Sequence, residues 1–208
     1  MTNVTVVNHP LLKRDITILR RAETPHGVFR KTLSDASAIL AYEVMRDIGL
    51  GEVVVQGPLE ESTGFVVKDT VVVVPIMRAG LGMVDGFIRF IPEARVGHLG
   101  MYRDEDTLTP VDYYSSLPEN IENARTFVVD PMLATGGSAT GAIQLLKDKG
   151  AINIAFVCLL AAPEGVEKLG LEHPDVPIVT ASLEERLDEN AFIRPGLGDA
   201  GDRIFGTA

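Results

Sequence analysis

The chain predicts an α/β fold, a parallel β-sheet with helices on both faces. Runs of apolar, largely β-branched residues such as TVVVVPIM and INIAFVCLLA are continuous instead of alternating with polar ones, as strands buried on both faces require. Segments of helical spacing separate those runs, the pattern of successive βαβ units. The 208 residues can bury a substantial core and show no repeat, low-complexity tract or linker, so one domain over 1–208 is expected.

Residues 34–48 carry apolar side chains at helical spacing and are expected to pack against the sheet. Residues 70–77 (TVVVVPIM) read as the first buried strand, RAGLG turns the chain, and a helix follows over 83–90. RVGHLGMY (95–102) is the second strand. The insertion DEDTLTPVDYYSSLPENIEN is long, polar and proline-containing, a length that proteins use for a lid, an arm or a partner contact. Its part near 110–116 could reach a neighbouring subunit, and the acids Asp104, Glu105 and Asp106 read as a solvated edge. TFVVD (126–130) is the third strand, followed by a helix over 140–149 and the strand INIAFVCLLA (152–161). A short helix over 165–169 and a strand over 177–181 complete the pattern. Right-handed crossovers gather the ligand loops at the C-terminal ends of such strands.

Composition narrows the functional classes. A formal net charge of -10 argues against nucleic acid as the main partner, which needs clustered positive charge. It leaves room for a small anionic substrate held by a few local arginines. The lone Cys158 lies in an apolar run and reads as a buried strand thiol, which excludes an intrachain disulfide and fits a reducing, cytoplasmic setting. The N-terminus has no uninterrupted apolar h-region, and no apolar run approaches the ~20 residues that span a bilayer, so no membrane partner is expected. His9, His26, His98 and His173 show no metal spacing, and no Gly-x-Ser-x-Gly elbow occurs.

The chemistry concentrates in VVDPMLATGGSAT (128–140). An apolar segment ends in Asp130, and a Gly/Thr/Ser-rich turn opens onto GAIQLLKDKG. A strand thus delivers one carboxylate beside backbone N–H groups at a helix N-terminus. The amides and the positive helix end suit a phosphate, Thr135, Ser138 and Thr140 add hydroxyl donors, and Asp130 can accept from ribose hydroxyls. Gly136, Gly137 and Ser138 lack the lysine of a Walker A loop, which disfavours ATP hydrolysis. Gly196, Gly198 and Gly201 match G-x-G-x-x-G, yet too few residues follow to build the βαβ unit that gives that fingerprint meaning, so a dinucleotide oxidoreductase is rejected. Glycines around Asp199 instead let bare backbone groups meet the acceptor–donor–acceptor edge of uracil and reject cytosine. Arg78 and Arg103 each end a strand and would clamp a pyrophosphate together. RNA binding would need a basic face that this acidic chain does not show.

At these residues the chain resembles the uracil phosphoribosyltransferases, a branch of the type I phosphoribosyltransferase family. The likeness runs nearly end to end, through VVNHPLLKRDITILRR, PIMRAGLGMVDG, GMYRDEDTLTP, VVDPMLATGGSAT and PGLGDAGDRIFG. It implies formation of UMP and pyrophosphate from uracil and phosphoribosyl pyrophosphate, with Mg2+, on a type I sheet with a small C-terminal hood and a β-arm insertion. By motif, Asp130, Pro131, Met132, Leu133, Ala134, Thr135, Gly136, Gly137 and Ser138 would hold the ribose 5-phosphate portion. Arg78 and Arg103 would bind the phosphates of phosphoribosyl pyrophosphate. Ile193, Gly198, Asp199 and Ala200 would contact uracil, mostly through backbone, with Asp199 also touching the phosphoribosyl substrate. Asp130, Arg103 and Asp199 are the catalytic candidates. Pro131 stands where the wider superfamily carries a second acid, so the metal is expected on pyrophosphate and ribose rather than on protein side chains. Arg194 stands where an apolar residue is expected. The resemblance also brings in GTP as a candidate activator and a homodimer or homotetramer.

Overall fold

A computed structural model describes residues 3–103 and 110–207, the side chains of 101–103 and 110–113 excepted. In chain order the elements are β1 (Val4–Val6), α1 (Pro10–Arg20), α2 (His26–Val44), β2 (Leu50–Gln56), β3 (Glu61–Val67), β4 (Thr70–Pro75) and α3 (Leu81–Ile88). There follow β5 (Arg95–Val96), β6 (His98–Arg103), β7 (Pro110–Ser116), β8 (Ala124–Val129), β9 (Met132–Leu133), α4 (Gly137–Asp148) and β10 (Asn153–Ala161). The chain ends with α5 (Pro163–Glu172), β11 (Ile178–Leu183), β12 (Arg186–Leu187), β13 (Ile193–Arg194) and α6 (Ala200–Phe205).

The central sheet runs β1-β11-β10-β8-β4-β5, with β9 also beside β10, and its pairings are parallel. Successive strand residues point to opposite faces, so the unbroken apolar runs feed two cores at once. Val71, Val73, Phe127, Val129 and Val157 join Leu19, Phe29, Leu33 and Phe87 of the helices on one side. Val72, Val74, Val128, Phe156 and Cys158 join Ala142, Ile143, Leu146 and Leu169 on the other. Cys158 is fully buried there, and burial pushes its thiol up to about 12, an inert core sulfhydryl.

Three expectations need correction. The stretch 95–102 is not one strand: β5 pairs with β4 for two residues, the regular ladder breaks at Gly97 with only an isolated parallel bridge from Leu99 to Ile76 beyond it, and β6 pairs antiparallel with β7. Both halves are extended and apolar, so local pattern cannot separate them; the available partner strand does. The helix expected from 34 begins at His26, and α4 begins at Gly137 rather than 140. β1, α1 and the β2–β3 hairpin were not anticipated at all. The start signal of α1 is unusual, because the cap is His9, whose Nδ1 accepts the Leu11 N–H at 3.2 Å. Asp104, Glu105 and Asp106 lie outside the described residues.

The connections place a crevice. From β4 the chain passes through α3, in the first core layer, to β5; from β8 it passes through α4, in the second layer, to β10 on the other side. Adjacent strands whose successors diverge in this way form a topological switch point, where open α/β sheets bind ligands at the C-terminal strand ends. The register Val74↔Val128 and Pro75↔Val129 brings the loops after β4 and β8 out at that edge together.

Candidate active site

Asp130 ends β8, where its N–H still donates to Val157 O at 3.2 Å, and its Oδ1 accepts the Met132 N–H at 3.3 Å. The residue is half-buried. Burial pushes its carboxyl up to about 7, the Met132 N–H offsets part of that, and the nearby Asp199 charge raises it further. Beside it the loop after β4 approaches so closely that a Cβ on Gly80 would stand 2.4 Å from Val129 O and 2.7 Å from Ile76 N. Only glycine fits that crossing.

The turn after Asp130 is pinned from behind. Leu159 and Leu160 N–H donate to Pro131 O at 3.1 and 3.0 Å, and Ala162 N–H donates to Leu133 O at 2.8 Å. Gly136 then takes a left-handed φ of 78° as the residue before α4. The first N–H groups of a helix have no partner within it, so this end can receive an anion. Ser138 is exposed at that end, and Thr135 Oγ1 lies 3.5 Å from the Gly137 N–H. Thr140 does not join them: it is buried, and its hydroxyl donates to Gly137 O at 3.1 Å. Lys168 of α5, which sequence reasoning missed, places Nζ 4.0 Å from where a Cβ on Gly137 would sit.

The C-terminal segment folds over the same edge. A cavity of about 230 Å³ is lined by Ala79, Asp130, Met132 and Ala134 on the sheet side. Ala191, Phe192, Ile193, Gly198, Asp199, Ala200 and Gly201 close it from the other side. Of the expected residues, Asp130, Met132, Ala134, Ile193, Gly198, Asp199 and Ala200 therefore share one cavity, while Thr135 to Ser138 continue beside it into α4. Ala79, Ala191, Phe192 and Gly201 complete the lining; Ala79 and Gly201 lie inside the motifs RAGLG and PGLGDAG without having been assigned a contact, and Ala191 and Phe192 stand in no motif.

The charged candidates meet different fates. Arg78 is largely exposed and pairs with Asp202 Oδ1 at 3.1 Å. The Thr207 hydroxyl and Arg78 together hold the Asp202 carboxyl below the usual range. Asp199 caps α6, its Oδ1 accepting the Asp202 N–H at 2.9 Å. Arg103 ends β6 on the ribbon with β7, and its side chain falls outside the description. Arg194, the unexpected charge, faces outward: Nε donates to Asp188 Oδ2 at 2.6 Å, while Asp188 Oδ1 accepts the N–H groups of Asn190 and Phe192 at 2.9 and 3.0 Å. Packing around Ile193 survives because the arginine staples the turn from outside.

A family model described as Uracil phosphoribosyltransferase matches residues 6–207. The chain is 70% identical over 207 residues to the uracil phosphoribosyltransferase of Salinibacter ruber, covering 100% of this chain and 99% of the relative. Among solved structures, the AQ2163 protein of Aquifex aeolicus is similar with a TM-score of 0.93 at 35% identity, covering 99% of both chains. The adenine phosphoribosyl transferase of Trypanosoma brucei, solved with AMP, pyrophosphate and ribose-5-phosphate, shares the fold at TM-score 0.60 and 14% identity, over 96% of this chain and 89% of that one.

Proposed function

We propose a residue-level mechanism for a chain that belongs to the uracil phosphoribosyltransferase family. Its reaction transfers the 5-phosphoribosyl group of phosphoribosyl pyrophosphate to uracil N1, giving UMP and pyrophosphate. The loop from Pro131 to Ser138 holds the 5-phosphate on free N–H groups and the helix end. Asp130 accepts from the ribose hydroxyls, an interaction that favours its ionised form. Arg78 and Arg103 neutralise the departing pyrophosphate; for Arg78 this means leaving Asp202 for a more highly charged partner. The backbone of Ile193 and of Gly198 to Ala200 aims uracil N1 at the anomeric carbon, and Asp199 stays near as a group that can reach the phosphoribosyl substrate. The observation that carries the reading is the one cavity with Asp130 on one wall and the glycine-rich turn on the other. Most of the rate then comes from positioning and charge stabilisation around an oxocarbenium-like transition state.

Magnesium belongs to the same reading. Among the described residues no group of three or more His, Cys, Asp or Glu gathers as a protein metal site would, and Pro131 follows the single Asp130. Such a donor set fits an ion held mainly by pyrophosphate and ribose oxygens, with Asp130 nearby; the ion would supply positive charge to the leaving group. Incubation with phosphoribosyl pyrophosphate, magnesium and a mixture of free bases should convert uracil alone to its nucleotide. Conversion of another base in preference would overturn the base assignment.

Assembly, regulation and setting are further parts of the proposal. One domain over 1–208 is supported by β1 pairing with β11 and by α6 packing on α2, which join both ends of the chain in one core. The β2–β3 hairpin exposes Val54 at 75% and Phe65 at 63%, together with Val66 and Val67. A two-stranded hairpin is marginal by itself in water, so a second copy covering it, in a homodimer or homotetramer, accounts for those side chains. Phe65→Asp should then lower the solution mass measured by light scattering, and an unchanged mass would remove the hairpin from the interface. GTP is proposed as an activator at another site, to be tested by its effect on initial rates. No helix among the described residues is long and apolar enough to cross a membrane, and the reduced, buried Cys158 fits a cytoplasmic setting.

A further inference from the structure

Arg20 and Glu184 lie outside the cavity lining, yet they grip the loop that closes it. Glu184 Oε1 accepts from Arg20 Nη2 at 2.6 Å and from Ser182 Oγ at 2.6 Å. Its other oxygen, Oε2, accepts the Gly196 N–H at 3.1 Å, while Gly196 O accepts from Arg20 Nη1 at 3.2 Å. The three residues therefore form a closed ring that fixes both backbone polar groups of Gly196. Arg20 comes from the end of α1 and Glu184 from just beyond β11, so the ring ties the loop both to the end of the sheet and to a helix at the far end of the chain.

Its surroundings make the ring stiff. The Glu184 side chain is 2% exposed and that of Arg20 28%. Burial pushes the Glu184 carboxyl up, but the Arg20, Ser182 and Gly196 hydrogen bonds together outweigh it and hold the carboxyl below the usual range. Gly196 has φ 56°, and a Cβ there would stand 2.1 Å from Ile193 O, so the loop doubles back tightly onto a residue of the cavity wall. Two residues on, Gly198 has φ 81° and lines the cavity itself. Any shift of Gly196 passes at once to Ile193 and Gly198.

A buried ion pair is weak support for stability as such, because desolvation offsets much of the attraction. It does fix geometry. Reading a base through backbone groups depends on their placement, and a 1 Å error can cost about 10²-fold. We propose that Arg20 and Glu184 are positioning residues that lock the Gly196 turn and thereby set uracil affinity and the discrimination of uracil from cytosine. This rests on the reading that Ile193 and Gly198 to Ala200 contact uracil.

Glu184→Gln tests it, since the amide offers one acceptor and one donor where the ring demands two acceptors. The expected result is a rise of about 10- to 100-fold in KM for uracil and a narrowed uracil/cytosine ratio, with KM for phosphoribosyl pyrophosphate within about 2-fold. Glu184→Asp, which keeps two acceptors, should restore part of the loss. Arg20→Lys, at the more exposed partner, should reproduce the uracil effect and serves if Glu184→Gln fails to fold. An unchanged uracil KM in both Glu184→Gln and Arg20→Lys, or equal losses toward both substrates, would overturn the proposal. Gly198→Ala separates the two layers of argument. If it raises uracil KM while the ring variants do not, only the positioning role fails; if it has no effect, the uracil-contact reading fails and takes the proposal with it.

Discussion

Replacing Asp130 by Asn should make the ligand-free protein more stable at pH 8 while slowing transfer about 10- to 100-fold. An ordinary aspartate loses its proton near 3.8, whereas the folded environment holds that of Asp130 until about 7. Between those values the folded state binds a proton that the unfolded chain has released, so stability falls as pH rises from about 4 to about 7 and is level above. At about 1.4 kcal/mol per pH unit the full displacement corresponds to about 4 kcal/mol. Asp130 is only half-buried at the cavity wall, so solvent screens it and about 1–2 kcal/mol is the expected share. Asn cannot ionise, and it also removes the repulsion with Asp199. Urea unfolding of both proteins at pH 5 and pH 8 isolates the effect of Asp130 and its coupling to Asp199, since titrations that do not interact with Asp130 cancel in the difference. The Asn protein should gain on the parent between the two pH values, while transfer rates fall by about 10- to 100-fold through loss of charge-assisted hydrogen bonds to ribose. A difference in stability independent of pH, or an Asn protein less stable at pH 8, would refute the reasoning.

Further outcomes follow from neighbouring residues. Affinity for phosphoribosyl pyrophosphate should weaken as pH drops below about 7, where Asp130 takes up its proton. Calorimetry at pH 6 and 8 should show this component in the parent and not in Asp130→Asn. Gly80→Ala would force a Cβ against Val129 O and the Ile76 backbone, and overpacking of that kind costs about 1–3 kcal/mol, visible as a lowered melting temperature. Lys168→Met should raise KM for phosphoribosyl pyrophosphate about 2- to 5-fold at low salt, the worth of one exposed cation near a phosphate, and the difference should shrink at high salt.

The core strands were legible because their signal is local. Val71 to Val74, Phe127 to Val129 and the run around Cys158 are apolar at every position, and only a doubly covered sheet buries both faces. Asp130 and its glycine turn were legible for a related reason, since strand, acid and helix start are contiguous. The hairpin over 50–67 escaped because its apolar side chains lie in no core of this chain, and α1 because a histidine caps it. Thr140 was read as a phosphate donor from spacing alone, whereas its hydroxyl is consumed inside its own helix.

Sequence by itself determined the layered α/β architecture, the cradle after Asp130 and the glycine-rich C-terminal turn, all set by side-chain periodicity and backbone freedom within short windows. Only the tertiary structure decided that Arg78 rests on Asp202 and that Arg20 grips both Gly196 and Glu184. Hydrogen-bond partners drawn from opposite ends of a chain leave no trace in local composition, because burial selects apolar positions one by one while a polar pair exists only once the fold has brought both halves together.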